Sequence, residues 1–479
     1  MAILNEHGLF WWHHEPIPDR LYAPAASIAG ALTIADDGTI RLDLNGVMPR
    51  EEARPFDVLV TQGKCPPSLL IQGILKGDNQ RVLLSGLYAN GGQFSSNGIS
   101  FEQFDAEFCL LGHERFESTN GLPRAQGVVV GLSGFEDWLQ LASLEYERTD
   151  NSVSISYQDV PNLTYALGDA TLAIEYDIRG PYHGKYKRHD VHLKETARLL
   201  RTAASPMELA QVREEYSYLQ DLFILLTDTD SSLEWPRVTL AGAGDARLAL
   251  YFQRNKSRDQ PPKWHECWTT FPELKPKFGE IYSLWLQKRR EFGPAFYLYL
   301  GTRRGLPSLY VEHRFVNLIW GLESFHRRKY PTGTASERLA AKIQRILDSV
   351  SNRNDKRWLE KKLRLSAEPA LESRLFDLLK AVPIALDVHA LRTFCRECAN
   401  LRNDISHFGG QREAGDYGQF MAQLDSRSDV LSHLYHLLLL HEIGAADAIA
   451  KGRGLRGRLP YVARHFMKEF GLLRADQAK

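Results

Sequence analysis

An arginine and a histidine five residues apart open the functional question: Arg402 and His407, in the run Arg402-Asn403-Asp404-Ile405-Ser406-His407. Histidine is the side chain best suited to moving protons near neutral pH. Arginine is a planar, always-charged fork that matches phosphate oxygens. Those are the two groups a metal-free cleavage of RNA needs. One handles the proton of an attacking 2′-hydroxyl, and the other stabilises charge on the pentavalent phosphorane. On a helix, positions five apart are separated by about 140° and about 7.5 Å along the axis, so the side chains flank a groove rather than stack. Taken alone, the pair is equally a surface pair on an ordinary helix. Asn403 can bond Arg402 or a phosphate. Asp404, three before His407 and on the same helical face, can orient the imidazole or raise its pKa. Glu323, in an otherwise apolar segment, can pair with Arg402 across a bundle. For these three, a solvated polar residue is the competing reading. A helix C-terminus near His407 favours the imidazolium and Arg402 opposes it, which leaves the net direction open.

Other groups with chemical potential read differently. Cys395 and Cys398 have no second pair nearby and fall on a helical pattern, so they read as core cysteines rather than zinc ligands. His433, His436 and His441 lie on one long apolar helix and read as interior or interface residues. Trp11 and Trp12, beside His13 and His14, read as core plugs of a β domain. Lys451, Arg453, Arg456 and Arg458 form a basic, glycine-rich stretch that either tracks an RNA backbone or is a solvated loop. No Asp/Glu cluster or Cys/His quartet of metal spacing lies near Arg402 and His407. The expectation is therefore chemistry without metal or cofactor. No phosphate-binding loop, dinucleotide turn or Gly-x-Ser-x-Gly elbow is present.

The elements that must position these groups follow from pattern. At 479 residues the chain exceeds one compact core. With 43% hydrophobic and 25% charged residues it is neither disordered nor fibrous. No apolar run approaches the roughly 20 residues of a membrane span, and the first residues lack a signal-peptide pattern. Five scattered cysteines argue for a reducing compartment, so a cytoplasmic location without membrane partners is expected. The net charge of zero hides an asymmetry. From Arg303 onward there are 30 Lys and Arg against 20 Asp and Glu, which leaves 29 against 39 for the rest. A basic C-terminal part suits nucleic-acid contact, although helical domains often carry such a surplus.

Residues 1–204 read as β-rich. Alternating segments 31–35 and 39–44 flank Asp36-Asp37-Gly38, a hairpin signal, and further strands are expected at 58–61, 69–75, 82–87, 107–111, 128–132, 152–157 and 170–176. One short helix is expected near 135–141. The pattern predicts a sandwich or barrel-like domain. Residues 205–304 read as a mixed connecting region. Ser205-Pro206 caps a helix running through Leu226, strands follow within 238–252, and a second helix spans 277–292. Gly301, Gly305 and Pro307 mark a boundary. From 305 to 479 every strong segment is helical (308–330, 336–349, 356–365, 370–381, 388–408, 417–443 and 459–470), an all-α bundle. The fold class is α+β.

Arg402-Asn403 followed by His407 resembles the Arg-x(4–6)-His signature of HEPN domains, including the polar residue after the arginine. Gly8-Leu9-Phe10-Trp11-Trp12, Gly30-Ala31-Leu32-Thr33 and the run from Gly38 to Gly46 resemble the opening block of ApeA-type abortive-infection proteins. The run from Phe315 to Arg327 resembles the first helix of their HEPN domain. The resemblance implies a β-rich N-terminal domain that senses or restrains, joined to a HEPN ribonuclease. It makes Arg402 and His407 the catalytic pair, and it implies a homodimer that pairs two such motifs. The substrate would be cellular RNA, tRNA included, and the trigger would come from a phage. The alternative it allows is a HEPN module that grips RNA or protein without cutting.

Overall fold

The computed structural model describes residues 2–473 apart from 51–62, 67–68, 94, 96, 117–121, 142, 159, 181–191, 243, 245, 256–260, 305–308, 332–336, 367, 409, 411–414 and 446–457. The chain divides into two compact units. Met1–Glu136, Leu141–Gln220 and Ser231–Asp259 form the first; Asp137–Gln140, Asp221–Asp230 and Gln260–Lys479 form the second.

The first unit is built on antiparallel strands: β1 (Ala2–Trp12), β2 (Ile28–Ala35), β3 (Ile40–Leu44), β4 (Gly63–Lys64), β5 (Ile71–Leu75), β6 (Arg81–Gln93), β7 (Phe101–Gly112), β8 (Arg124–Gly131), β9 (Leu144–Arg148), β10 (Val153–Tyr157), β11 (Leu163–Leu167), β12 (Ala170–Arg179), β13 (Lys194–Glu208), β14 (Arg237–Leu240) and β15 (Arg247–Phe252). The expected 31–44 hairpin is β2–β3. Its turn works because Gly38 adopts φ +82° and Thr39 N–H donates to Asp37 Oδ1 at 3.0 Å. Strands β1, β2, β3, β7, β6 and β5 pair in that order, and β5 returns to β1, closing a six-stranded barrel. Alternation places Leu32 and Ile34 of β2, Ile40 and Leu42 of β3, and Phe10 and Trp12 of β1 in one core cluster. Each such side chain contributes roughly 1.5–3 kcal/mol by leaving water. Trp12 packs edge-on against Phe104 at 6.0 Å, and its indole N–H donates to Pro49 O at 2.5 Å. The tryptophans are core plugs, as read.

Beyond the barrel the sheet continues through β15, β14, β8, β13, β12 and β11, while β9 and β10 form a separate hairpin. Strand β7 belongs to both parts: Glu102–Ala106 face β3, and Phe108–Leu111 face β15. The expected strand at 58–61 lies outside the described residues.

The sequence reading of a helix start at Ser205-Pro206 is corrected. Both residues belong to β13, because after a register shift Met207 and Glu208 still pair with Ala125 and Arg124 of β8. Sheet pairing outweighs the local capping signal. Helix α2 (Leu209–Thr227) begins only where that pairing ends; α1 is the short turn Glu136–Leu139.

The second unit is helical: α3 (Phe271–Leu274), α4 (Phe278–Phe292), α5 (Pro294–Arg304), α6 (Val311–Lys329), α7 (Glu337–Asp348), α8 (Arg353–Ser366), α9 (Leu371–Leu379), α10 (Val388–Phe408), α11 (Tyr417–Glu442) and α12 (Arg458–Glu469). Gly301, read as part of a boundary, sits inside α5, which Pro294 starts as a first-turn proline. Helix α11 is buried all round from Val430 to Leu440 and is the central rod of the bundle. Gly321 of α6 lets it approach closely, since a Cβ there would stand 2.7 Å from Tyr435 Oη. Arg314 of α6 then reaches Asp429 of α11 at 2.5 Å. His436 lies fully buried in this rod. Its Nε2 meets Leu225 O and its Nδ1 meets Tyr299 Oη, both at 2.7 Å. A carbonyl only accepts, so Nε2 carries the proton and Nδ1 accepts from the tyrosine. His433 is equally buried, whereas His441 at the helix end is exposed. Cys395 and Cys398 are buried free thiols. No described helix is long and apolar enough to cross a membrane.

Candidate functional site around Arg402

Helix α10 starts at a well-made cap: Asp387 Oδ1 accepts from the backbone N–H of His389 at 3.0 Å and of Ala390 at 2.9 Å. Leu391, Phe394, Cys395, Cys398 and Ala399 then form its buried stripe at helical spacing. Arg402 is the next position on that stripe. Its stem is held against the bundle while the guanidinium reaches the rim. The side chain is 22% exposed, and Glu323 of α6, 19% exposed, meets its Nη2 at 3.3 Å. Nη1 donates to Asn403 Oδ1 at 3.2 Å. The Nε is buried and has no partner among the described residues. Each Nη carries two hydrogens, so the outer donors of the fork remain available to an anion even with Glu323 and Asn403 in place.

His407 lies one and a half turns on, exposed, on a different flank of the helix. Asp404 is half-buried. Among the described residues no hydrogen bond or ion pair joins Asp404 to His407 or to another group. The structure thus brings Glu323, Arg402 and Asn403 into one hydrogen-bonded set, with His407 exposed on the same helix and outside that set. Of the basic stretch, Lys451, Arg453 and Arg456 lie outside the described residues, and Arg458 opens α12.

The ionic set extends further than the sequence reading carried it. Glu323 also holds Arg327 at 3.1 Å. Arg327 pairs with Glu368 at 2.7 Å, and Glu368 with the buried Arg374 at 2.6 Å. The chain of alternating charges therefore runs Arg402, Glu323, Arg327, Glu368, Arg374. Both arginines facing Glu368 hold its carboxyl below the usual carboxylate range. The i,i+4 spacing of Glu323 and Arg327 puts both side chains on one face of α6. Glu323 is thus shared between two cations, which limits how fully it neutralises Arg402. Among the described residues, no group of three or more His, Cys, Asp or Glu side chains is placed to hold a metal ion.

The arrangement can present a fixed cation and a nearby exposed imidazole to a phosphodiester. Two family models match the chain: ApeA N-terminal domain 1 over residues 6–285, and Apea-like HEPN over residues 316–448, which contains both Glu323 and His407. Neither a curated protein nor a solved structure matches it.

Proposed function

This chain belongs to the ApeA family, with an ApeA N-terminal domain followed by an Apea-like HEPN domain, and on that premise we propose that it is an anti-phage effector whose HEPN domain cleaves cellular RNA, tRNA among the candidate substrates. The observation that carries the reading is the Arg402 guanidinium held at the bundle rim by Glu323 and Asn403, with an exposed histidine five residues on in the same helix. In the proposed reaction the substrate's own 2′-hydroxyl attacks the adjacent phosphorus. His407 takes up its proton as the P–O2′ bond forms, Arg402 stabilises the phosphorane, and the P–O5′ bond then breaks with the 5′-oxygen taking a proton from water or a second His407 to leave as a hydroxyl. Glu323 and Asn403 keep the fork aimed. One Arg402 and one His407 make a sparse site for both proton transfers. A homodimer with its α10 helices facing each other would bring a second pair to the phosphate. In the cell a phage-derived trigger would release the activity and arrest growth.

The test is direct. Purified protein and labelled RNA are incubated with EDTA and the ends mapped. A 2′,3′-cyclic phosphate with a 5′-hydroxyl, and no cutting at a 2′-O-methyl nucleotide, supports the reading. A 5′-phosphate, or loss of activity on chelation, replaces it with a metal-activated water. In cells, Arg402→Ala and His407→Ala should each abolish growth arrest and RNA cleavage while the protein stays folded. Growth arrest by the His407→Ala protein without cleavage would identify a binding module instead.

A further inference from the structure

The first unit contains a polar cavity of about 280 Å³ on one face of the extended sheet, away from Arg402 in the sequence and lined by groups from four strands, β8, β13, β14 and β15, and from the segments after β8 and before β14. Lys194 and Arg198 come from β13, Arg237 from β14 and Arg247 from β15; Glu234 and Trp235 come from the segment entering β14. Strand register explains the convergence: Arg198 is opposite Gly131, and Arg237 is opposite Val129 and Ala249, so alternate side chains from neighbouring strands share this face. Four cations around one cavity stand out in a part of the chain where acidic residues outnumber basic ones, 39 to 29 outside Arg303–Lys479.

The four are not equivalent. Arg198 is held by Asp177 at 2.6 Å and Arg247 by Glu175 at 3.2 Å, both acids coming from β12. Those pairs fix two guanidinium groups in place. Lys194 and Arg237 have no ion-pair partner among the described residues, although Glu234 lines the same cavity. Glu234 in turn lies over Gly131, whose missing side chain makes room for it: a Cβ there would stand 1.9 Å from Glu234 Oε2. The cavity therefore offers two uncommitted cations, two oriented ones, and one carboxylate that also lacks an ion-pair partner. Cations recognise phosphate oxygens, and an isolated carboxylate among them accepts from hydroxyls. A polyanion without hydroxyls would meet Glu234 only as repulsion. The volume lies just below the about 300–1,000 Å³ of small-molecule sites and suits one nucleotide rather than a folded RNA.

We infer that this cavity binds a ribonucleotide, with its phosphates on Lys194 and Arg237 and its ribose hydroxyls on Glu234. The site is independent of the Arg402 reading, since none of its residues lies in the HEPN-matched segment.

Calorimetric titration of the full-length protein tests this, with ATP, GTP, CTP and UTP, their 2′-deoxy forms, inorganic phosphate and a short single-stranded RNA as separate probes. At least one ribonucleoside triphosphate should bind with a Kd below about 1 mM. Arg237→Ala and Lys194→Ala should each weaken it at least tenfold. Glu234→Gln should erase the preference over the deoxy form while leaving binding detectable. All three residues are exposed, so the variants should keep the wild-type unfolding temperature. No nucleotide binding to the wild type, equal binding by the Arg237→Ala protein, or a ribose preference untouched by Glu234→Gln would overturn the inference. Binding of the RNA alone, lost in Arg237→Ala, would also overturn it, because it would make this face an RNA interface.

Discussion

Replacing Glu323 by glutamine tests whether the acid positions Arg402 or merely sits beside it. The two charges are 3.3 Å apart and each is about one-fifth exposed. At an effective dielectric of about 20 their bare attraction is roughly 5 kcal/mol. Desolvation of both groups and the competing claim of Arg327 offset most of that, so the expected loss of stability is only about 1 kcal/mol. The effect on chemistry should be larger. A guanidinium freed to swing by an ångström from the phosphorane lowers the rate by roughly 10–100-fold. The substitution also removes a negative charge from an anion site, so KM for RNA should stay level or fall. The signature is a loss confined to kcat, read by single-turnover and steady-state cleavage of a labelled RNA. Arg327→Ala is the control: it removes Glu323's other partner and should change kcat by no more than about threefold. If Glu323→Gln raises KM with kcat intact, or if Arg327→Ala costs as much, Glu323 does not act through Arg402.

Three further outcomes concern stability. Tyr299→Phe strips the donor from His436 Nδ1 in a fully buried position and should cost about 1–3 kcal/mol in urea unfolding. Burial, reinforced by the nearby Arg303 charge, holds the His436 pKa well below its ordinary value, and burial lowers that of His326 as well. The unfolded chain therefore binds protons that the folded chain refuses. Stability should be full above about pH 6.5 and fall below it, by up to about 1.4 kcal/mol per pH unit for His436, as thermal melts between pH 5 and 8 would show. Gly38→Ala should destabilise the first unit by about 2 kcal/mol or more, because the turn needs φ +82° and the new Cβ would fall 2.0 Å from Phe252 O; an unchanged unfolding midpoint would contradict this.

What could be read from the sequence was what neighbouring residues decide. The β2–β3 hairpin carries its turn in Asp36-Asp37-Gly38, and α10 carries its cap in Asp387 and its stripe in Leu391, Cys395 and Cys398, so both were found with their limits nearly intact. Ser205-Pro206 misled because the partner that keeps those residues extended, Arg124 and Ala125, lies some 80 positions earlier. Helix α5 was hidden by Gly301, a residue that a packed helix tolerates. Barrel closure depends on β5 returning to β1, which no local pattern announces. In the site, the chemistry of Arg402 and His407 and the partnership with Glu323 were legible as possibilities of residue type. The distances, the second claim of Arg327 on Glu323 and the lack of a link from Asp404 to His407 were not. The cationic cavity was invisible because its side chains are scattered between Lys194 and Arg247 and meet only through strand register.

Strand β7 is bonded along one edge to β6 and along the other to β3 and then β15. A strand tied on both edges cannot fray from either side. The barrel and the outer sheet are therefore joined into one cooperative opening unit, and backbone amides of Phe108–Leu111 should exchange with solvent only at the rate of global unfolding. Arg247 stands on β15, whose Ala249–Phe252 segment is stitched to that same stretch of β7. A ligand that binds Arg247 only in the folded state should therefore slow exchange throughout the barrel wall, far beyond the residues it touches.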